Sequence, residues 1–104
     1  MSIVYRVKRG DTWPNLSAQL MHQGGAIDLT GATVQLVARS ASKIIQRSAT
    51  VTDALSGFVT CALSAEDTEV SGRYNAEFEI TFYDGRKTTV PNNDHFRILI
   101  IDDL

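Results

Sequence analysis

The chain has 104 residues, of which 43% are hydrophobic and 21% charged, a composition that is typical of a globular protein and excludes a disordered or fibrous one. Its length suits a single domain over residues 1–104. Ten Lys and Arg against twelve Asp and Glu give a net charge of −2, which argues against nucleic acid as a partner. No apolar run approaches the roughly 20 residues that span a bilayer, so we expect no membrane partner.

In chain order, the predicted elements are short strands. Apolar and polar residues alternate with the period of two that marks a half-buried strand, and turn residues separate the runs. The segments are 3–8, 15–20, 33–39, 43–51, 58–63, 73–82, 87–90 and 95–101. A short helix starting at Pro14 is the alternative for the second segment, and the facing of 43–51 is ambiguous. We predict about seven strands in total.

The connections carry weaker signals. Residues 22–26 and 52–57 are rich in turn formers and are predicted to be loops. Ser64 and Asp67 have the spacing of a helix N-terminal cap, but only about one helical turn fits before Gly72.

The clearest element is a hairpin over residues 72–91. Its apolar positions alternate and are predicted to face the core: Tyr74, Ala76, Phe78, Ile80 and Phe82. Glu77 and Glu79 are then expected to be exposed on the opposite face. Asp84-Gly85 predicts a tight type I′ turn. A hairpin with one solvated face needs a partner sheet to be stable.

Tyr74 indicates the fold class. The spacing from Gly72 through Tyr74 to Ala76 resembles the tyrosine corner of immunoglobulin-like sandwiches, in which a buried tyrosine hydroxyl binds a backbone carbonyl. With the strand pattern, this predicts an all-β, immunoglobulin-like antiparallel β-sandwich with at most one short helical turn.

Residues suited to catalysis or metal binding are not grouped in the sequence. His22 and His95 lack the spacing of metal ligands and are expected to lie far apart, and the aspartates fall mostly in turns. Cys61 alternates with Val59 and Leu63, which predicts a buried and unreactive thiol. We therefore predict no catalytic, cofactor-binding or metal site, no cofactor, and no enzyme activity.

The last strand is apolar on both faces, because Leu99 and Ile101 alternate with Ile98 and Ile100. We place it beside a sheet edge and predict that another chain covers Leu99 or Ile101. Trp13 lies outside any alternation and is the third predicted interface residue. An alternative function is a carbohydrate- or receptor-binding sandwich, which requires Trp13 and Tyr83 to share an exposed face.

The order of the motifs points to a known family. Arg9-Gly10-Asp11-Thr12 is followed by Asp28-Leu29-Thr30-Gly31-Ala32-Thr33-Val34, by Gly57 before a strand, by Gly72-Arg73-Tyr74-Asn75-Ala76-Glu77-Phe78-Glu79 and by Asp84-Gly85-Arg86. In this order they resemble the N-terminal domain of bacteriophage baseplate upper proteins, an immunoglobulin-like sandwich. The resemblance covers residues 5–101.

The resemblance implies a structural protein of a phage or prophage tail or baseplate that docks onto other tail proteins, in several copies, without catalysis or cofactor. We expect it in the virion tail, and in the host cytoplasm during assembly because no secretion signal is visible. In that family a separate C-terminal region carries the next component. This chain ends at Leu104, so we expect either a lone module or a fragment of a longer protein.

Overall fold

The computed structural model describes residues 3–91 and 96–102, which form ten strands. The strands are β1 (Ile3–Lys8), β2 (Leu16–Gln19), β3 (Met21–His22), β4 (Gly25–Ala26), β5 (Thr33–Arg39), β6 (Ile44–Asp53), β7 (Phe58–Cys61), β8 (Gly72–Thr81), β9 (Lys87–Val90) and β10 (Phe96–Ile101). Within the described ranges no helix forms, and accordingly none could cross a membrane.

β3 and β4 form a small hairpin where the sequence predicted only a loop. Its two connecting residues, Gln23 and Gly24, have φ angles of 51° and 81°, as a type I′ turn requires at both central positions. Each strand has only two residues, too few for an alternating pattern to appear in the sequence.

The turn between β8 and β9 is not the predicted type I′ turn. Among the described residues, Gln23 is the one non-glycine residue with positive φ, so Asp84 does not adopt the conformation that a type I′ turn would need. Instead Gly85 donates to the carbonyl of Phe82 over 2.9 Å, and Phe82 donates to the carbonyl of Arg86 over 2.8 Å. The connection is therefore a three-residue loop with Gly85 in the left-handed region (φ 89°).

The strands form two layers that share β6. One layer contains β1, β10, β8, β9, β5 and the first part of β6, and the other contains the second part of β6, β7 and β2. The order along the main path is β1-β10-β8-β5-β6-β7-β2, and β9 pairs with β8 beside β10. Residues 44–49 of β6 pair with β5, whereas residues 50–53 pair with β7. A register shift between Val51 and Asp53 disrupts this second ladder, and such bulges bend a strand. The fold is thus an all-β sandwich, as predicted.

β10 is not itself an edge strand but lies beside one, β1. It pairs antiparallel with β8 and parallel with β1, so it has a neighbour on each side. The parallel pair departs from the purely antiparallel sandwich that the sequence predicted. β1 is the edge strand, and its pairing joins segments about 90 residues apart in the chain.

The core lies between the two layers and contains the inward residues of β8. Tyr74, Phe78 and Ile80 are fully buried, and Phe78 stacks on Phe96 with ring centroids 5.2 Å apart. The predicted facing is therefore confirmed for the apolar side chains within β8, whereas Phe82, which follows the strand and was also predicted to be buried, is only half-buried. Glu79 is exposed as expected, but Glu77 is half-buried, because it lies beside Arg39 of β5 at 3.3 Å.

The loop before β8 uses the predicted capping residues without forming a helix. The Ser64 amide donates to the Asp67 carboxylate over 2.9 Å, and the Asp67 amide donates to the Ser64 hydroxyl over 3.2 Å. Arg47 of β6 adds two donors to the same carboxylate, at 2.8 and 2.9 Å. This network ties the loop of residues 64–71 to β6, and Thr68 ties it to the turn after β1 by accepting from Gly10.

Candidate functional site

Two of the predicted interface residues lie together on the outward face of β10. Ile98 and Ile100 point into the core, so Leu99 and Ile101 face outward, where Leu99 is half-buried and Ile101 is 46% exposed. Leu99 stands between Arg6 of β1 and Arg73 of β8, and Ile101 is level with Lys8 of β1. β10 is thus covered along both edges but not across its outer face.

The neighbouring strands surround these apolar residues with cations. We call the surface formed by the outward residues of β1, β10 and the first half of β8 the basic face. Its residues are Val4, Arg6, Lys8, Arg73, Asn75, Arg97, Leu99 and Ile101. The alternation in β1 shows which way Arg6 and Lys8 point, but the sequence gives no sign that β1 lies beside β10. Sequence reasoning therefore missed the basic residues.

Arg97 lies in the row between Val4 of β1 and Asn75 of β8. It is half-buried, and its Nε atom has no contact with solvent and no hydrogen-bond acceptor within the described parts of the chain. A guanidinium in this position has lost part of its hydration without a compensating acceptor for that donor. Arg97 is thus a cation of the basic face with a buried donor that lacks an acceptor among the described residues.

Trp13 is 81% exposed and belongs to a separate segment, residues 9–15, which leads from β1 to β2. The Tyr5 hydroxyl donates to the Pro14 carbonyl over 2.5 Å and holds this segment beside β1. Tyr83 lies in the turn after β8, where its Cβ packs against Gly31. Tyr5 is level with Tyr74 near the start of β8, whereas Tyr83 follows the end of that strand. The segment that carries Trp13 and the turn that carries Tyr83 thus lie toward opposite ends of β8, which gives no support to a face shared by the two rings.

The potential nucleophile is in the core. Cys61 is 1% exposed, and burial, with a smaller contribution from the charge of Asp67, raises its pKa to about 11. Its Sγ lies 3.7 Å from the carbonyl oxygen of Ser48. His22 is exposed on β3, whereas His95 falls outside the described residues, so their separation stays a prediction. Residues 3–91 and 96–102 contain no cluster of His, Cys, Asp and Glu that could hold a metal ion.

Several aspartates act within their own turns. Asp28 accepts from the hydroxyl and the amide of Thr30, and these bonds hold the pKa of its carboxyl below the usual value. Asp84 accepts from the amide and side chain of Arg86, with the same effect on its pKa. Asp53 accepts from the amide of Ser56. The predicted role of these aspartates as turn formers is therefore confirmed.

Comparison with solved structures finds similar folds. The N-terminal domain of phage TP901-1 ORF48 is 17% identical, with a TM-score of 0.69 over 94% of this chain and 84% of that chain. CopC from Methylosinus trichosporium OB3b is 14% identical, with a TM-score of 0.53 over 98% of this chain and 87% of that chain. At these identities the likeness concerns the fold alone. No curated protein sequence matches the chain.

The family assignment comes from the sequence. The family model of the BppU N-terminal domain, the N-terminal domain of phage baseplate upper proteins, matches residues 3–99 and thus nearly the whole chain. This agrees with the motif order described above. The chain belongs to the BppU N-terminal domain family and is a structural domain of the phage baseplate.

Proposed function

We propose that this domain attaches to other components of the phage tail by protein contacts, and that it has no catalytic role. The observation that carries the proposal is the apolar outer face of β10, with Leu99 half-buried and Ile101 46% exposed on a strand whose edges are already paired. Apolar side chains on an outer sheet face gain free energy when a partner covers them. Family membership gives the setting in which that partner is another tail protein.

Trp13 belongs to the same proposal as a second contact. Large aromatic side chains are over-represented among the residues that dominate binding at protein interfaces. Trp13 is 81% exposed, so its indole is free to enter a pocket of a partner. We propose that the domain is present in several copies, as a homo-oligomer, and that it acts as one unit over residues 1–104.

We also propose that the protein is in the host cytoplasm during assembly and in the tail of the finished virion. The test is to purify virions and to quantify the protein by mass spectrometry against the major tail protein, with immunogold labelling to locate it. We expect several copies per particle and label at the tail tip. Abundant protein in the lysate with none in purified virions would contradict the proposal.

A further inference from the structure

We infer that the basic face docks an acidic, partly apolar protein surface on another tail component. This inference rests on the proposed function and adds the chemistry of the partner and the surface that recognises it. It depends on two properties of the basic face, its charge and its apolar centre, and on the engagement of most described carboxylates elsewhere in the chain.

The charge of the basic face is opposite to that of the whole chain. Arg6, Lys8 and Arg73 are exposed there and Arg97 is half-buried, although the net charge of the chain is −2. Arg6 and Arg73 lie on either side of Leu99 in one row across the sheet. Within the described parts of the chain, no carboxylate forms an ion pair with these four cations. A partner that brings carboxylates would therefore meet unopposed positive charge.

The apolar centre of the basic face favours a protein over a nucleic acid. Val4 and Ile101 are 48% and 46% exposed, and Leu99 lies between them on β10. An apolar centre with charged residues around it is the usual anatomy of a protein interface. Single-stranded nucleic acid is bound by stacking on aromatic rings, and none of the residues of the basic face is aromatic.

A second copy of this chain is the weaker candidate, because most of its described carboxylates already have partners. Glu77 pairs with Arg39, Glu69 with Lys43 and Asp102 with Arg9. Others accept hydrogen bonds in their own loops: Asp28, Asp53, Asp67 and Asp84. Among the described carboxylates, a second copy could offer only Asp11, Glu66 and Glu79 to the basic face of a neighbour without giving up one of these interactions.

The test is charge reversal with a matched control in the phage that encodes the chain. Arg73→Glu changes the cation on one side of Leu99, and Arg6→Glu changes the cation on its other side, in the same row but on another strand. Lys87→Glu is the control, because Lys87 is an exposed cation at the far end of the same sheet, on β9. The amount of each variant in purified virions is measured against the major tail protein, and the urea midpoint of each purified variant reports folding.

We expect Arg73→Glu and Arg6→Glu each to lower incorporation by about ten-fold or more, because like charges facing each other across an interface cost several kcal/mol. Lys87→Glu should change it by less than about two-fold. Second-site revertants should replace Asp or Glu by a neutral or basic residue in one other virion protein.

Three results would overturn the inference while wild-type protein is still found in virions. These are equal incorporation of all three variants, revertants that map to acidic residues of this chain itself, and salt-sensitive DNA binding by the wild type that Arg73→Glu removes. Absence of the wild-type protein from virions would overturn the proposed function, and this inference with it.

Discussion

The hydroxyl of Tyr74 donates a hydrogen bond of 2.7 Å to the carbonyl oxygen of Val70, four residues earlier in the chain. Tyr74 is fully buried, so this bond satisfies a hydroxyl that would otherwise lie unpaired in the core. It also ties the end of the 64–71 loop to the first residues of β8. This is the tyrosine-corner contact that the spacing of Gly72, Tyr74 and Ala76 predicted.

Replacing Tyr74 by Phe keeps the ring but removes the donor to Val70. We expect the free energy of unfolding to fall by about 1–3 kcal/mol, because the carbonyl of the half-buried Val70 loses that partner. Tyr83→Phe is the control, since Tyr83 is 83% exposed, and it should stay within about 0.5 kcal/mol of the wild type. Equal urea midpoints for the two variants would show that the corner bond does not stabilise the fold.

Phe78 tests the core. It is 1% exposed and stacks on Phe96, so Phe78→Ala removes a ring and leaves a cavity between the layers. The expected loss of stability is ~3–5 kcal/mol. Phe58→Ala, at a position that is 43% exposed, should cost clearly less in the same denaturant titration. A loss below about 1 kcal/mol for Phe78→Ala would be incompatible with the core described here.

The inward faces could be predicted from the sequence because side chains alternate strictly along a strand. Tyr74 and Phe78 are buried as expected, and β5 has its predicted bounds, Thr33–Arg39. A one-residue slip would turn every one of these side chains to the solvent, so the pattern permits one register. The alternation within a segment thus predicts which side chains of a strand face the core, but it does not predict which strand pairs with it.

The basic face could not be predicted for the same reason. β1 pairs with β10 across nearly the full length of the chain, and no local signal reports such a contact. The candidate site was therefore predicted only in its apolar part, Leu99 and Ile101. The turn after β8 was assigned wrongly because Asp-Gly suits both a type I′ turn and a three-residue loop, which differ in how the flanking residues pair.

The lowered pKa of Asp67 predicts a loss of stability in acid. Burial opposes ionisation of its carboxyl, but the hydrogen bonds from Arg47 and Ser64, together with the charge of Arg47, outweigh it and hold the pKa of Asp67 below the usual value. A lowered folded-state pKa stabilises the native protein above the unfolded pKa of about 3.9. This stabilisation is lost as the pH falls through the folded pKa.

We therefore expect Asp67→Asn to lower the free energy of unfolding by about 1–3 kcal/mol at neutral pH. The difference from wild type should persist down to about pH 4 and shrink below it. It must be taken between the two proteins, because Asp28 and Asp84 also have lowered pKa values and contribute to the acid sensitivity of both. Urea titrations at a series of pH values measure it, and a difference independent of pH would contradict the assignment.

Cys61 should resist thiol reagents in the folded protein. It is buried and its pKa is raised to about 11, so little thiolate exists at pH 8 and the reagent cannot reach it. We expect modification to be at least about 100-fold slower than in the same protein unfolded in urea. Comparable rates in both states would place Cys61 at the surface.

Leu99→Asp tests the outer face of β10 without touching the core. Leu99 is outward and half-buried between Arg6 and Arg73, so the new carboxylate can pair with either guanidinium, and we expect little effect on the urea midpoint. The same pairing would neutralise one of the two cations, and the substitution would remove the apolar centre, so incorporation into tails should fall. Leu55→Asp, at a loop position that is 74% exposed, is the matched control and should assemble normally.

Light scattering on the purified variants and protein quantification in virions check both parts of this expectation. The same oligomeric state and the same incorporation for wild type and Leu99→Asp would remove the outer face of β10 as an interface. Unfolding of the variant would show instead that Leu99 contributes to stability within the domain. In that case Ile101→Asp, at the more exposed position beside Lys8, is the variant that separates assembly from folding.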